Sequence, residues 1–368
     1  MSGIYIHIPF CKKACHYCNF HFSTNQNSKS SFIKAVSNEL QLRSSEYESK
    51  KVKTIYFGGG TPTVLQISDL TNILDVVYEF YNVSETPEIT LEANPDDLNL
   101  EKIIALSKTK INRLSIGIQS FFEEELQQMN RAHTAQDAYS VMEEVKKHFD
   151  NFSLDLIYGM PGSNLERWQK NIDIALSFSP PHISSYALTI EENTALAYQV
   201  EKEQVTPLPG EMVAQQFDRL VSCLTEVGFD HYELSNFGLP HYHSVNNSAY
   251  WQGKPYLGIG PSAHSYNGKN RSWNISSNKQ YIQRILNGVE GVHQEELSKN
   301  QQYNEYLFTS LRTIWGVNSE TINMQFGVKL QSHFLKEIKK WENKKDIKKT
   351  EYTYTLTNSG KFLADAIA

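Results

Sequence analysis

Cysteine is scarce in this chain: four occur in 368 residues. Three of them, Cys11, Cys15 and Cys18, share one short segment, and Cys223 is left alone. That distribution excludes a disulfide framework and points to a reducing compartment. No apolar run is long enough to span a bilayer, and the N-terminus shows no basic stretch followed by an apolar one, so neither a membrane span nor a signal peptide is expected. Positive charge is not in surplus either. The 35 Lys and Arg against 41 Asp and Glu leave a net charge of −6, which offers no general pull towards nucleic acid. Internal repeats and low-complexity linkers are missing. These absences leave a soluble, cytoplasmic chain. Its length suits roughly two domains at ~100–200 residues each, with a core that needs no covalent staples.

The first half alternates short apolar runs with amphipathic stretches. Strands are expected at 4–8, 52–57, 88–93, 112–118, 152–158 and 182–188, with helices between them, for example over 32–42, 67–81 and 135–149. Such alternation builds parallel βαβ units. Six units fall short of the eight that close a (β/α)₈ barrel, so an α/β fold with an incomplete (β/α)₆ barrel is expected over residues 1–190. After about residue 190 the pattern changes, and an α+β extension is expected over 191–290. It starts with a helix bearing Val213, Phe217, Leu220, Val221, Leu224 and Val227, which Gly228 ends. A glycine-, proline- and aromatic-rich segment from 230 to 275 reads as irregular. Residues 291–368 read as a winged-helix-like module: helices near 303–314 and 330–345, a β-like run at 351–356 and a last helix. The lysine-rich stretch 336–349 also holds Glu337, Glu342 and Asp346, the pattern of a solvated helix face.

The chemistry lies at the ends of the expected strands, where parallel barrels keep it. The first strand runs directly into Cys11, Cys15 and Cys18, spaced C-x₃-C-x₂-C. Three thiolates hold three irons of a [4Fe–4S] cluster and leave the fourth open, as reductive cleavage of S-adenosylmethionine requires. Zinc is the competing chemistry. It wants four nitrogen or sulfur ligands, and His16 or His21 could complete a set, but no second C-x₂-C pair exists. Three glycines, Gly58 to Gly60, follow the second strand and precede Thr61. They let the backbone approach a ligand closely; the Lys-Ser/Thr ending of a P-loop is absent. Glu92, Gln119 and Asp155 end the third, fourth and fifth strands in apolar surroundings. One such residue is usually a satisfied core group, but three on adjacent strands favour a ligand site. Arg131 suits two-pronged pairing with a carboxylate, or merely ends a helix at the surface.

The strings HIPFCKKACHYCNF, FGGGTPT, EANP, SIGIQSF, LDLIYGMPG and YLGIGPSAHSY together resemble the HemN/HemW group of radical-SAM proteins. The resemblance runs over nearly the whole chain. It implies a [4Fe–4S] cluster on Cys11, Cys15 and Cys18. It implies S-adenosylmethionine near Tyr5, Gly60, Thr61, Glu92, Gln119, Arg131 and Asp155, with Tyr17 packed on the adenine or simply anchoring the loop. The group holds two functions. HemN-type enzymes are oxygen-independent coproporphyrinogen III dehydrogenases that decarboxylate propionates; HemW-type proteins are heme chaperones. HemN-type sequences carry a further cysteine two residues after the third, where this chain has Phe20, and a long arm ahead of the first strand, where Tyr5 stands almost at the start. Both differences favour the chaperone, with the dehydrogenase as the alternative.

The expected partners are then heme or another porphyrin, an unnamed acceptor protein and an unnamed electron donor. No nucleic acid is expected, and a membrane only through the acceptor. HemW-type sequences show His-Asn-x-x-Tyr-Trp at the heme. This chain reads Asn246-Asn247-Ser248-Ala249-Tyr250-Trp251, and an amide is a poor iron ligand beside imidazole. Asn247, Tyr250 and Trp251 are expected to meet the macrocycle. Of the nearby His241, His243 and His264, His243 is the expected replacement ligand, since it stands about one helical turn upstream.

Overall fold

A computed structural model describes residues 2–47, 51–289 and 292–368. Six strands follow one another in chain order: β1 (Ser2–Ile8), β2 (Val52–Gly59), β3 (Val83–Ala93), β4 (Arg113–Gln119), β5 (Phe152–Tyr158) and β6 (His182–Ala187). Each pairs in parallel with the next. Parallel neighbours need crossovers, and the helices Lys29–Leu42, Ile67–Phe80, Leu100–Ser107, Ala135–His148 and Leu165–Ser177 provide them. Their apolar residues recur at helical spacing, as with Leu70, Ile73, Leu74 and Val77 on the second helix, all buried. The strands present Ile4, Ile6 and Ile8, then Ile55 and Phe57, then Leu114, Ile116 and Ile118, each fully buried. These alternate positions share one face of their strands and pack into a single core. The partial barrel matches the expected architecture.

The barrel edges are not bare. The segment 230–275, read from sequence as irregular, holds five short strands, β7 (Asp230–Glu233), β8 (Asn236–Gly238), β9 (Tyr256–Ile259), β10 (His264–Tyr266) and β11 (Asn270–Asn274), and the helix Val245–Trp251. With β12 (Val292–Glu296) they extend the sheet to the order β12-β11-β10-β9-β1-β2-β3-β4-β5-β6-β8-β7. Strand β9 joins β1 in parallel, and β8 joins β6 antiparallel. Strands of three to five residues carry too little alternation to show in a sequence. They do cover edges that would otherwise expose unpaired backbone.

One buried polar node fastens the first helix to this extension. Glu39 is fully buried and accepts from Tyr281 Oη at 2.6 Å, Asn274 Nδ2 at 2.7 Å and the Gly260 amide at 2.9 Å. Arg43 lies against it at 3.2 Å and donates to the Gly258 carbonyl at 2.9 Å. A buried ion pair is tolerable only when its remaining bonding capacity is filled in this way.

Residues 299–368 build a second core around Tyr303, Leu311, Ile322, Phe334 and Tyr354. The helices Lys299–Leu311, Ser319–Phe326 and Val328–Asn343 pack with a three-stranded antiparallel sheet of β13 (Val317–Asn318), β15 (Thr353–Leu356) and β14 (Ile347–Thr350). The sequence pattern predicts a lysine-rich helix to residue 345, with 336–349 as one solvated helix face. The helix instead ends at Asn343, Lys345 takes a left-handed φ of 66°, and Lys348 and Lys349 sit on a strand. Among the described residues no helix is long and apolar enough to cross a membrane.

Candidate functional site

The cysteine loop leaves the end of β1 and is tied back to it. The Ser23 amide donates to the Pro9 carbonyl at 2.8 Å, and the Cys11 amide to the Ser23 carbonyl at 3.1 Å. The glycine loop after β2 docks beside it. The amides of Gly60 and Thr61 donate to the carbonyls of Ile8 and Phe10 at 2.8 and 2.7 Å. A Cβ on Gly60 would stand 2.7 Å from the Phe10 carbonyl oxygen, so only glycine allows this approach. Gly59 has a φ of 107°, also glycine territory.

Cys11, Cys15 and Cys18 are free, half-buried thiols on the wall of a cavity of about 490 Å³. That volume lies within the ~300–1,000 Å³ usual for small-molecule sites. Gly60, Thr61, Glu92, Gln119, Arg131, Asp155 and Tyr17 line the same cavity. The structure thus gathers onto one surface residues spread across the first five strand ends.

They are also wired together. Thr61 Oγ1 lies 3.6 Å from Cys11 Sγ and accepts from Asn94 Nδ2 at 3.0 Å. Arg131 Nη2 donates to Asn94 Oδ1 at 2.6 Å and to the Gly117 carbonyl at 2.8 Å. Its Nη1 reaches Tyr17 Oη at 3.3 Å and Cys15 Sγ at 3.5 Å. Burial opposes the guanidinium charge, but Tyr17 and Cys15 hold its pKa above the usual value. Asn94, the hub of this chain of bonds, was not singled out from sequence, although it directly follows β3, two residues after Glu92.

Two carboxyls sit deeper. Glu92 accepts from Tyr56 Oη at 2.8 Å and the Gly59 amide at 3.1 Å, and burial pushes it up to about 7. Asp155 accepts from Ser115 and Ser153, and burial pushes it up to about 6 against the pull of its serine bonds. Ligand-free chain should show the consequence. The folded pKa of Glu92 exceeds the unfolded value near ~4.3, so the folded state holds its proton longer and this contribution to stability is lost as pH rises from about 4 to 7. Relative to Glu92→Gln, the parent should lose up to about 4 kcal/mol across that window, at ~1.4 kcal/mol per pKa unit. Chemical denaturation of both at pH 5 and pH 8 measures it, and a constant difference would refute the buried, protonated Glu92.

Several features test the fit of a bound group. Gln119 holds a left-handed φ of 62°, and its buried Oε1 makes no hydrogen bond. Arg131 Nε is likewise unpaired. An open acceptor and an open donor on one cavity suit a polar ligand. Burial raises the Cys11 thiol to about 11, so loading a metal centre must displace its proton. Among the described residues no three His, Cys, Asp or Glu converge on a single ion; a cubane places its thiolates on separate irons and needs no such convergence. The histidines a zinc site would recruit are engaged elsewhere, His16 with the Gln128 carbonyl at 2.9 Å and His21 with Asn278 Oδ1 at 2.7 Å.

A second cavity of about 750 Å³ adjoins the first, and Phe20, Tyr56, Tyr186 and Asn247 line both. Phe20 is 68% exposed between them. Tyr5 lies in this second cavity rather than beside the cysteines, bonded to His7 Nδ1 at 3.1 Å. Asn246, Tyr250 and Trp251 line it too. Glu88 receives the Val245 and Asn246 amides at 2.9 Å each and so fixes the start of their helix. The Asn246 side chain is occupied, accepting from Thr54 Oγ1 at 3.1 Å. His243 does not come to the cavity. It precedes the N-cap Ser244, so the helical spacing assumed from sequence does not apply. Its ring stacks on Tyr232 at 4.4 Å, and Nε2 bonds Asp230 at 3.0 Å. His264, by contrast, does line the cavity.

Comparison with known proteins agrees with this geometry. The family model described as Radical SAM superfamily matches residues 5–175. The heme chaperone HemW of Bacillus subtilis is 32% identical over 371 residues, covering 100% of this chain and 98% of that protein. HemW of Lactococcus lactis is 32% identical over 379 residues with the same coverage. Among solved structures, the coproporphyrinogen III oxidase HemN of Escherichia coli superposes with a TM-score of 0.86 at 20% identity, covering 100% of this chain and 88% of that one. At that identity the likeness speaks for the fold alone.

Proposed function

The chain belongs to the radical SAM superfamily, in its HemN/HemW group, and from that premise we propose that it is a heme chaperone, which binds heme and passes it to an acceptor protein. The observation that carries this reading is the end-to-end similarity to HemW proteins. Phe20, standing where the enzyme branch has a cysteine, and the large aromatic cavity beside it support the same reading.

Membership in the superfamily implies a [4Fe–4S] cluster and S-adenosylmethionine. We assign Cys11, Cys15 and Cys18 to the cluster. When bound and reduced, a cluster with one open iron supplies the electron for S-adenosylmethionine cleavage. The other residues bind and orient. The Gly58–Thr61 loop offers backbone to the methionine end, Glu92 and Asp155 face the cationic and hydroxyl parts, Gln119 supplies its free acceptor, and Arg131 balances carboxylate charge. Tyr17 closes the site under the guanidinium. Heme is assigned to the second cavity, against Asn247, Tyr250 and Trp251, whose aromatic rings suit an apolar macrocycle. Residues 1–190 would then serve the cluster, 191–290 the heme, and 291–368 the encounter with partners.

The test runs two assays side by side under anaerobic conditions. Heme titration should saturate at about one per chain, as one such cavity allows, and the loaded protein should transfer heme to apomyoglobin. Incubation with coproporphyrinogen III, S-adenosylmethionine and a reductant should give no sustained decarboxylation. Multiple-turnover formation of protoporphyrinogen IX would overturn the chaperone in favour of the dehydrogenase.

A further inference from the structure

Resting on the heme reading above, we infer that His264 provides the heme-iron ligand in the second cavity, with Lys254 and Arg271 placed to meet the propionates. The motif position offers no ligand, since the Asn246 side chain is an amide already bonded to Thr54. Three histidines line this cavity: His7, His21 and His264. Both ring nitrogens of His7 are engaged, with Tyr5 Oη at 3.1 Å and the His21 carbonyl at 2.9 Å. The His21 ring is held through Nε2 by Asn278 Oδ1 at 2.7 Å and stacks on His7 at 6.0 Å. Neither ring nitrogen of His264 makes a hydrogen bond among the described residues, so its lone pair is open.

Strand geometry aims the ring. Side chains alternate along β10. Ser265 points inward, with Oγ 2.9 Å from the Gly258 amide, so His264 and Tyr266 face the other way. His264 stands opposite Trp273 in register, and the rings stack at 5.9 Å with 24° between planes. Trp273 stacks in turn on His293 at 5.9 Å. The imidazole is therefore held in place without spending either nitrogen. Its surroundings suit a ligand role too: partial burial, then Arg271, lower its pKa and favour the neutral ring that metals bind.

The charge pattern fits the same occupant. Heme presents two apolar faces and a pair of carboxylates. Tyr250 and Trp251 supply aromatic surface, their rings 5.4 Å apart. Lys254 lines the cavity, and its ammonium has no partner among the described residues. Arg271 lies on β11 opposite Tyr266, two residues along the ladder from the His264–Trp273 pair, and shares its charge with Glu305 at 3.1 Å.

The experiment is heme titration of the full chain followed by absorption and magnetic circular dichroism. The parent should show imidazole ligation. His264→Ala should lose that signature and bind at least about tenfold more weakly, as loss of ligand support does at metal sites. His264→Cys should acquire a thiolate signature, a gain that a misfolded or merely destabilised variant would not produce. His243→Ala should match the parent. If the parent binds heme while His264→Ala and His264→Cys keep its imidazole spectrum, the assignment of His264 is wrong and the chaperone reading stands. If the parent binds no heme, both fall.

Discussion

Serine in place of Cys11, Cys15 or Cys18 should take anaerobically reconstituted protein from about four irons per chain, the content of a [4Fe–4S] site, to essentially none. A hydroxyl at serine's pKa does not supply the thiolate that iron requires. With only three protein ligands, no cysteine is spare. The remaining cysteine is the internal control. Cys223 lies on the helix Gly210–Glu226, its sulfur 3.5 Å from the Gln169 amide, and does not line the cysteine cavity. Cys223→Ser should keep full iron and the visible iron–sulfur absorption. Iron, sulfide and absorption measured on all four variants decide it. Stoichiometric zinc in the parent, or a full cluster in any of the three loop variants, would remove the basis for the site assignments.

Arg131→Ala should have the next largest effect, on two separate readouts. The guanidinium serves Asn94, Gly117, Tyr17 and Cys15 at once. Hydrogen bonds to charged groups are worth roughly 1.5–3 kcal/mol each and do not add when they share a donor group, so a stability loss of about 2–4 kcal/mol is expected. Asn94 would also lose its anchor, and with it the placement of Thr61 beside Cys11. Affinity for S-adenosylmethionine should fall about 10- to 100-fold, the equivalent of one charged hydrogen bond. Arg131→Lys separates the parts: it keeps the charge but not the planar fork, so it should recover some stability and little affinity. Thermal unfolding and calorimetry give the two numbers. Parent-like affinity in Arg131→Ala would show that the ligand is held elsewhere.

The barrel was legible because each of β1 to β6 sets β-branched or aromatic residues within a segment of strand length, separated by helices with a clear 3.6-residue period. Cys11, Thr61, Glu92, Gln119, Arg131 and Asp155 could be read as one site because parallel topology sends every strand end to the same face. The structure gathers them on one cavity. The extension was not legible. Strands such as Asn236–Gly238 owe their conformation to the edge they join, not to their own residues. Asn94 was passed over because its importance lies in whom it bonds, which no local pattern reveals. For His243, proximity in sequence to the motif is not proximity in space: Ser244 starts the helix after it, and the ring stacks on Tyr232.

Synthesis of the chain from its N-terminus gives the Glu39 node a meaning in time. Glu39 and Arg43 emerge early, but Gly258, Asn274 and Tyr281 follow up to 242 residues later. At ~5–20 residues per second, that interval is roughly 10–50 s. Throughout it the first helix carries a carboxylate and a guanidinium destined for a buried site whose other walls do not yet exist. The helix that covers β1 therefore cannot reach its final packing until the extension has been made. A ribosome-tethered chain whose residues from 258 onward are still inside the exit tunnel should leave that helix open to proteolysis, and one whose residues through 286 have emerged should protect it.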